Sequence, residues 1–217
     1  MLKQLSILFS WIFHPLFLLS YAMVLVMCID PYLFGIQKFN EGLKFILPIF
    51  ISTVIIPGFA IFMMKALGMI KGIELNDRMD RVGPYIVTGM FYLWLFKNLY
   101  TNNTLPDLIT CFTLGCTITL FACFVINVVY KISVHAASIA GLTVMVMVLC
   151  IQYYSTNQSV IIGSLFIPMP LILFITIIIA GFIGTARLYL KAHTLPQVLF
   201  GYLVGITSML IAVWYIH

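Results

Sequence analysis

The sequence predicts an all-α polytopic membrane protein, a bundle of about seven transmembrane helices that forms one domain over residues 1–217. Of the 217 residues, 63% are hydrophobic and 8% are charged, and the mean hydropathy is +1.16. Because a soluble domain carries about 25% charged residues, this chain has too few charges to cover a surface that faces water. The third observation is a series of long stretches without a charged residue, since about 20 apolar residues cross a bilayer.

The predicted spans follow from these stretches in chain order. Charge-free stretches begin after Lys3, Lys44, Arg81, Asp107, Lys131 and Lys191. The stretch 132–186 is too long for one crossing and is interrupted by the polar segment 152–159, so it predicts two helices joined by a hairpin. The predicted spans lie near residues 5–29, 43–66, 84–99, 107–130, 135–154, 163–185 and 196–216.

The connections between spans alternate between the two faces of the membrane, and one face receives most of the cations. This first face holds the N-terminus, the loop 67–83, the junction at Lys131 and the junction 186–195. The net charge is +5, and cations grouped between apolar spans favour anionic membrane lipids over nucleic acid as partners. The positive-inside rule predicts that this face is cytoplasmic; alternatively, its cations converge on one anionic ligand.

Two segments of the first face carry groups suited to phosphate. Lys71, Arg78 and Arg81 lie in one loop, where arginine offers a bidentate fork and lysine a point charge. Ser133 and His135 lie at the start of a predicted helix, where free backbone N–H groups favour an anion. Taken alone, each segment is also explained by a solvated loop or by a helix cap.

A third segment places an arginine six residues before a histidine. Arg187 precedes His193, and Thr194 and Pro196 are typical of the start of a helix. Arg187 is suited to holding phosphate oxygens and His193 to attacking phosphorus. The three segments do not form a Cys/His or carboxylate cluster, so we predict neither a metal site nor another cofactor.

Small residues mark helix faces that pack closely. They are Gly201 and Gly205, four positions apart, and the run 136–141, which contains alanine, serine and glycine. Such residues let helix backbones approach each other in a membrane. We expect this contact within the chain; the alternative is a homodimer.

Together, the three segments resemble the signature motifs of the type 2 phosphatidic acid phosphatase superfamily of membrane lipid phosphatases. That family shows Lys-x6-Arg-Pro, then Pro-Ser-Gly-His, then Ser-Arg-x5-His-x3-Asp. Lys71 and Arg78 keep the first spacing, and Arg81, with Pro84 nearby, is the alternative for the arginine role. The second and third motifs keep Ser133 with His135, and Arg187 with His193. The resemblance covers residues 65–216, and the extra pair of spans between the first and second motifs departs from the usual family pattern.

The resemblance implies a metal-independent phosphatase of lipid phosphates or diphosphates, such as polyprenyl diphosphates, phosphatidic acid or phosphatidylglycerophosphate. His193 would form a phosphohistidine, and His135 would protonate the leaving group. The phosphoryl oxygens would be held by Lys71, Arg78 or Arg81, Ser133 and Arg187. The acyl or prenyl tail would lie in the bilayer beside the site.

Gln197 stands where the family has the aspartate that orients the nucleophilic histidine. A neutral amide accepts an N–H bond but does not stabilise an imidazolium, and losing a comparable carboxylate costs on the order of 10⁴ in rate. Asp77 or Asp80 are candidates for this role in space. The departure favours an alternative, a catalytically impaired member that binds anionic lipid or acts as a membrane scaffold. A transporter is a third hypothesis, which the absence of matched broken helices disfavours.

The resemblance also implies a location, an integral protein of a plasma membrane (in a bacterium, the inner membrane) with the site on the extracytoplasmic face. The cation count predicts the opposite orientation, but the site residues dominate that count. When Lys71, Arg78, Arg81, Lys131, Arg187 and Lys191 are set aside, two cations remain on the first face and three on the other.

Overall fold

The computed structural model describes residues 2–36, 39–73, 75, 77–153, 159–162 and 165–216, and this part of the chain is almost entirely helical. The α-helices are α1 (Leu2–Ile12), α2 (Pro15–Ile29), α3 (Leu43–Phe50), α4 (Ile56–Ala66), α5 (Val82–Asn102), α6 (Asp107–Val129), α7 (Val134–Gln152), α8 (Met169–Tyr189) and α9 (Leu195–Ile216). The prediction of an all-α polytopic bundle is confirmed.

Shorter elements join these helices. A π-helical turn (Ile51–Ile55) connects α3 to α4, and 3₁₀ turns lie at Pro31–Phe34, Phe39–Gly42 and Met79–Arg81. Strands β1 (Ser159–Ile162) and β2 (Leu165–Pro168) pair in antiparallel register before α8. The hairpin predicted between the fifth and sixth spans falls partly on residues 154–158, which lie outside the described residues.

The number of membrane spans is lower than predicted when it is judged by length and hydropathy. Five helical segments qualify, Asn40–Ala66 and α6 to α9, and the bent pair α1–α2 makes a sixth if it counts as one span. The remaining predicted span is α5, which has 21 residues but contains tyrosines, glycines and Lys97 that lower its mean hydropathy. Helix α5 nevertheless packs along α6.

The predicted first span, residues 5–29, is wrong as a single helix. Helices α1 and α2 are bent by 63° at a break before Pro15. Proline lacks a backbone N–H and disfavours the helical conformation of the preceding residue, and His14 is accordingly extended with ψ 138°. The break places the end of α1 beside α8 and the start of α2 near α7.

The most extensive helix contact joins α7 to α9. A Cβ atom at Gly205 would lie 1.9 Å from the Ala137 carbonyl oxygen, and one at Gly201 would lie 2.6 Å from the Ser133 carbonyl oxygen. Only glycine permits this approach, so the predicted small-residue contact lies within the chain. The homodimer stays a prediction.

The loops of the predicted first face meet at one end of the bundle. Arg81 Nη1 donates to the Ile132 carbonyl at 3.2 Å, and the Ser133 N–H donates to the Gln197 carbonyl at 3.3 Å. Helices α5 and α6 run out from this end and back, as an even number of crossings requires. The three predicted motifs therefore share one end of the protein.

Candidate active site

The turn between α8 and α9 sets the spacing of Arg187 and His193. The Ala192 N–H donates to the Arg187 carbonyl at 3.1 Å, and the Lys191 N–H donates to the Leu188 carbonyl at 2.9 Å. This pair of hydrogen bonds is the Schellman motif that ends many helices. Lys191 takes the left-handed conformation (φ 52°) that this closure requires. The His193 N–H then donates to the Arg187 carbonyl at 3.4 Å, so the chain folds His193 back over the end of α8.

Gln197 fixes the ring of His193 at the start of α9. Its Oε1 accepts from the Thr194 N–H at 3.2 Å and lies 3.1 Å from His193 Nδ1. An oxygen that accepts from a backbone N–H is assigned as the amide oxygen, and it has no proton to give. His193 Nδ1 therefore carries the proton, and Nε2 keeps the lone pair that a nucleophile needs.

Ser133 joins the second motif to the third. It is fully buried and caps α7, with its Oγ accepting from the Ala136 N–H at 3.4 Å. Its own N–H donates to the Gln197 carbonyl, so the start of α7 and the start of α9 lie side by side. The Ser133 hydroxyl proton remains available as a donor next to Gln197.

Within the first motif, Lys71 and Arg78 have partners of their own. Lys71 is 79% exposed in its side chain and forms an ion pair with Asp77 at 2.8 Å, which raises the pKa of Lys71. The Lys71 N–H donates to Asp80 at 3.1 Å. The Arg78 guanidinium donates to the Val129 carbonyl. Neither acid takes the orienting role considered for it, since Gln197 is the observed partner of His193.

Arg81 is the cation of this loop that the fold buries. Its side chain is 8% exposed, and its Nε donates to the Leu75 carbonyl at 2.8 Å while Nη1 donates to Ile132. The Tyr85 side chain lies beside the guanidinium. These bonds hold a positive charge against the loop that leads into Ser133.

His135 lies on the other side of α7, towards α1. Its Nε2 is 3.2 Å from the Ser10 carbonyl oxygen, and its ring is perpendicular to that of His14 with centroids 5.3 Å apart. Arg187 is close enough for its charge to act on both His135 and His193. The charge of Arg187 thus acts on both predicted catalytic histidines.

His193 opens into a cavity of about 340 Å³ at the end of the bundle. Its lining residues are Lys131, Leu188, Lys191, Ala192, His193, Thr194 and Gln197. Lysines from two loops thus line the same cavity as His193. The cavity is open to the outside of the protein, as a site for a large headgroup needs to be.

The electrostatics of this cavity favour an anion. Burial, followed by the charges of Arg81 and Arg187, lowers the pKa of His193 to about 3. Burial and the same two arginines also lower the pKa of Lys131. His193 is therefore neutral at physiological pH, and a phosphate group would relieve the mutual repulsion of the cations around it.

Sequence reasoning missed two contributors to this site. Lys131 was counted among the cations of the first face, but no motif in the sequence linked it to His193. His14 was not among the predicted site residues; it accepts from the Leu16 N–H at 3.4 Å and lies against His135. No spacing in the sequence connects residue 14 to residue 135. Among the described residues, no group of three His, Cys, Asp or Glu side chains could hold a metal ion.

Comparison with known families confirms the resemblance that the motifs predicted. Residues 130–217 match the family described as the PAP2 superfamily. The match includes the second and third motifs and less than half of the chain, and it leaves out Arg81 and the helices α1 to α6. No curated protein and no solved structure matches the chain.

Proposed function

Because residues 130–217 carry the sequence pattern of the PAP2 superfamily, we propose that this protein is an integral membrane phosphatase that hydrolyses lipid phosphates or diphosphates through a phosphohistidine at His193. One observation carries the proposal: His193 is neutral, its Nδ1 is held by Gln197, and it opens into a cavity edged by lysines. This is the geometry that a nitrogen nucleophile for phosphorus requires.

In the first step, His193 Nε2 attacks phosphorus. The N–P bond forms as the P–O bond to the leaving group breaks. The departing oxygen takes a proton from His135, which enters this step as an imidazolium and leaves it neutral. Arg81, Lys131 and Arg187 surround the site with positive charge that offsets the negative charge on the phosphoryl oxygens.

In the second step, water attacks the phosphohistidine. His135, deprotonated by the first step, accepts a proton from this water, and the N–P bond breaks to release inorganic phosphate. His193 returns to its neutral form with Nδ1–H on Gln197. The cycle consumes one water molecule and requires no metal ion.

The position of the cavity supports a lipid substrate. It lies at the ends of α8 and α9, whose long exposed faces are apolar, with Leu195, Leu199 and Leu203 about half exposed along α9. A lipid held in the bilayer beside α9 would bring its phosphate to the level of His193. We further propose that this end faces the extracytoplasmic side, because phosphate binding accounts for most of its cations.

Gln197 supports the second candidate function, a family member that binds lipid phosphate with little or no turnover. The amide holds Nδ1–H as a carboxylate would, but it adds no negative charge to stabilise the phosphohistidine step. A pKa of about 3 also makes His193 a weak base. Binding then persists while the chemical step is slow.

Phosphate release by the purified protein in detergent tests both functions. The substrates are phosphatidic acid, phosphatidylglycerophosphate and a polyprenyl diphosphate, and the variants are His193→Ala and Gln197→Glu. Glutamate keeps the length that reaches both His193 and Thr194, and it adds the missing charge. Thr185→Ala is the control, because Thr185 is exposed on α8 near Arg187 and bonds only carbonyls of its own helix among the described residues.

We expect turnover by the wild type and by Thr185→Ala, at least about 10³-fold less by His193→Ala, and more by Gln197→Glu. A silent wild type with an active Gln197→Glu variant would establish the impaired member. Activity that survives His193→Ala would exclude the proposed nucleophile.

A further inference from the structure

We propose that His14, at the break between α1 and α2, is a positioning residue that holds the His135 ring in the orientation needed for proton transfer. This inference rests on the proposed function, in which His135 exchanges the proton of the leaving group. It assigns a part of the site to the N-terminal helices, which lie outside the matched residues 130–217.

The Ser10 carbonyl determines which nitrogen of His135 can act. A carbonyl oxygen only accepts, so His135 Nε2, at 3.2 Å, carries a proton and donates it to Ser10. The nitrogen that takes and gives the catalytic proton is then Nδ1, which is an acceptor in neutral His135 and carries the proton in its imidazolium form. Any rotation of the ring that breaks the bond to Ser10 would exchange the roles of the two nitrogens.

His14 opposes that rotation. Its ring lies perpendicular to that of His135 at 5.3 Å between centroids, an edge-to-face contact within the usual range for aromatic pairs. His14 is itself fixed, because its Nδ1 accepts from the Leu16 N–H at the start of α2 and its ring meets Phe17 edge-on at 6.4 Å. Held by Leu16 and Phe17, the His14 ring restricts rotation of the His135 ring.

The break in the N-terminal helix brings Ser10 and His14 to the same ring. Ser10 and His14 are four residues apart, and in a continuous helix they would lie on one face about one turn from each other. The 63° bend between them turns α2 away from α1. Phe9 stacks on Phe182 of α8 with centroids 5.9 Å apart, which fixes α1 against the helix that carries Arg187. The bend thus folds the α1 end over the start of α7.

Two substitutions separate the His14 ring from its capping bond. His14→Asn keeps a side-chain acceptor for the Leu16 N–H, since asparagine is a favoured N-cap, but it removes the ring. His14→Phe keeps the ring beside His135 and removes the acceptor. The pair therefore distinguishes a ring that restricts His135 from a stabilising cap on α2.

The readout is the dependence of the first step on the leaving group. Single-turnover release of the leaving group is measured for two substrates. The diacylglycerol that leaves phosphatidic acid needs a proton, whereas the p-nitrophenolate that leaves p-nitrophenyl phosphate does not. We expect His14→Asn to slow the first reaction about 10- to 100-fold and to leave the second within about threefold of the wild type. His14→Phe should stay within about threefold on both substrates.

Equal slowing of both substrates by His14→Asn, or a His14→Phe variant as slow as His14→Asn, would overturn the positioning role. A second measurement does not depend on turnover: the ¹⁵N spectrum of the histidine side chains in micelles, with His135 assigned by its loss in His135→Gln. We expect His135 to show one Nε2–H tautomer in the wild type and in His14→Phe, and a mixture in His14→Asn. If the wild type releases neither leaving group, the proposed function fails, while an unchanged His135 signal in His14→Asn would refute the positioning role by itself.

Discussion

The segments 71–81 and 187–197 meet at the same end of the bundle, but the fold positions their functional side chains in different ways. In 187–197, the helix closure and the helix start determine every position, from Arg187 to Gln197. In 71–81, Lys71 is exposed and paired with Asp77, and the buried cation is Arg81. A motif spacing built from two helix ends is thus enforced by backbone hydrogen bonds, whereas a spacing within a loop leaves open which arginine enters the site.

The largest expected effect tests which arginine of the loop serves the site. We expect Arg81→Gln to lower kcat/KM by about 10²- to 10³-fold, because it removes a buried charge close to His193. Arg78→Gln should lose less than about tenfold and Lys71→Gln less than about twofold, since an exposed ion pair contributes little. Steady-state kinetics on the same lipid substrate give all three values.

A folding defect is separated from a loss of charge by Arg81→Lys, which keeps the charge. This variant should recover part of the activity, and its thermal unfolding midpoint serves as the control for Arg81→Gln. If Arg78→Gln falls as far as Arg81→Gln, the family's Lys-x6-Arg spacing determines the site after all.

The second prediction breaks the attachment of 187–197 to α7. A methyl group at residue 205 would lie 1.9 Å from the Ala137 carbonyl oxygen, so Gly205→Ala should lower the free energy of unfolding by about 3 kcal/mol. It should also slow turnover, because the added methyl group pushes α9 away from α7 and thereby moves Gln197 away from Ser133. Gly181→Ala is the matched control: it lies in α8 with no atom within 4 Å of the added methyl, and better helix propensity should make it neutral or slightly stabilising. Thermal unfolding in detergent compares the two, and an equal loss in both would remove the close α7–α9 contact as the cause.

The third prediction concerns the lowered pKa of His193 and its effect on stability at acidic pH. In the folded protein its pKa is about 3, and in the unfolded chain it returns to about 6.5. Between these values the unfolded chain binds the proton and the folded protein does not, so His193 should destabilise the fold as the pH falls from about 6.5 towards 3. The unfolding midpoint, measured from pH 7 to 4.5, should therefore fall less steeply in His193→Gln than in the wild type. Parallel slopes would show that neither burial nor the charges of Arg81 and Arg187 lower the pKa of His193 in the folded protein.

The sequence was sufficient for the features that depend on hydropathy and on helix ends. The spans α6, α7 and α9 begin and end within about two residues of their predicted bounds, because the charged and polar residues at their ends are visible locally. The turn from Arg187 to His193 follows from Thr194 and Pro196 in the same way.

Contacts between distant segments could not be predicted. The burial of Arg81 depends on the Ile132 carbonyl, 51 residues away, and the contact of His14 with His135 spans 121 positions. Pro15 indicates a helix break in the sequence, but the 63° angle of the bend depends on the packing of α1 against α8.

The smallest expected effect separates backbone from charge within 187–197. Lys191 adopts φ 52° at the position where helix closures usually have glycine, so Lys191→Gly should raise the free energy of unfolding by about 1 kcal/mol. Lys191→Ala removes the same charge from the cavity but retains the backbone strain, and it should not stabilise the protein. If both variants lose activity equally while only the glycine variant gains stability, Lys191 contributes its charge to the phosphate site and the protein keeps a strained lysine there for function. Stabilisation by both would instead assign the cost to repulsion between Lys191 and the neighbouring cations.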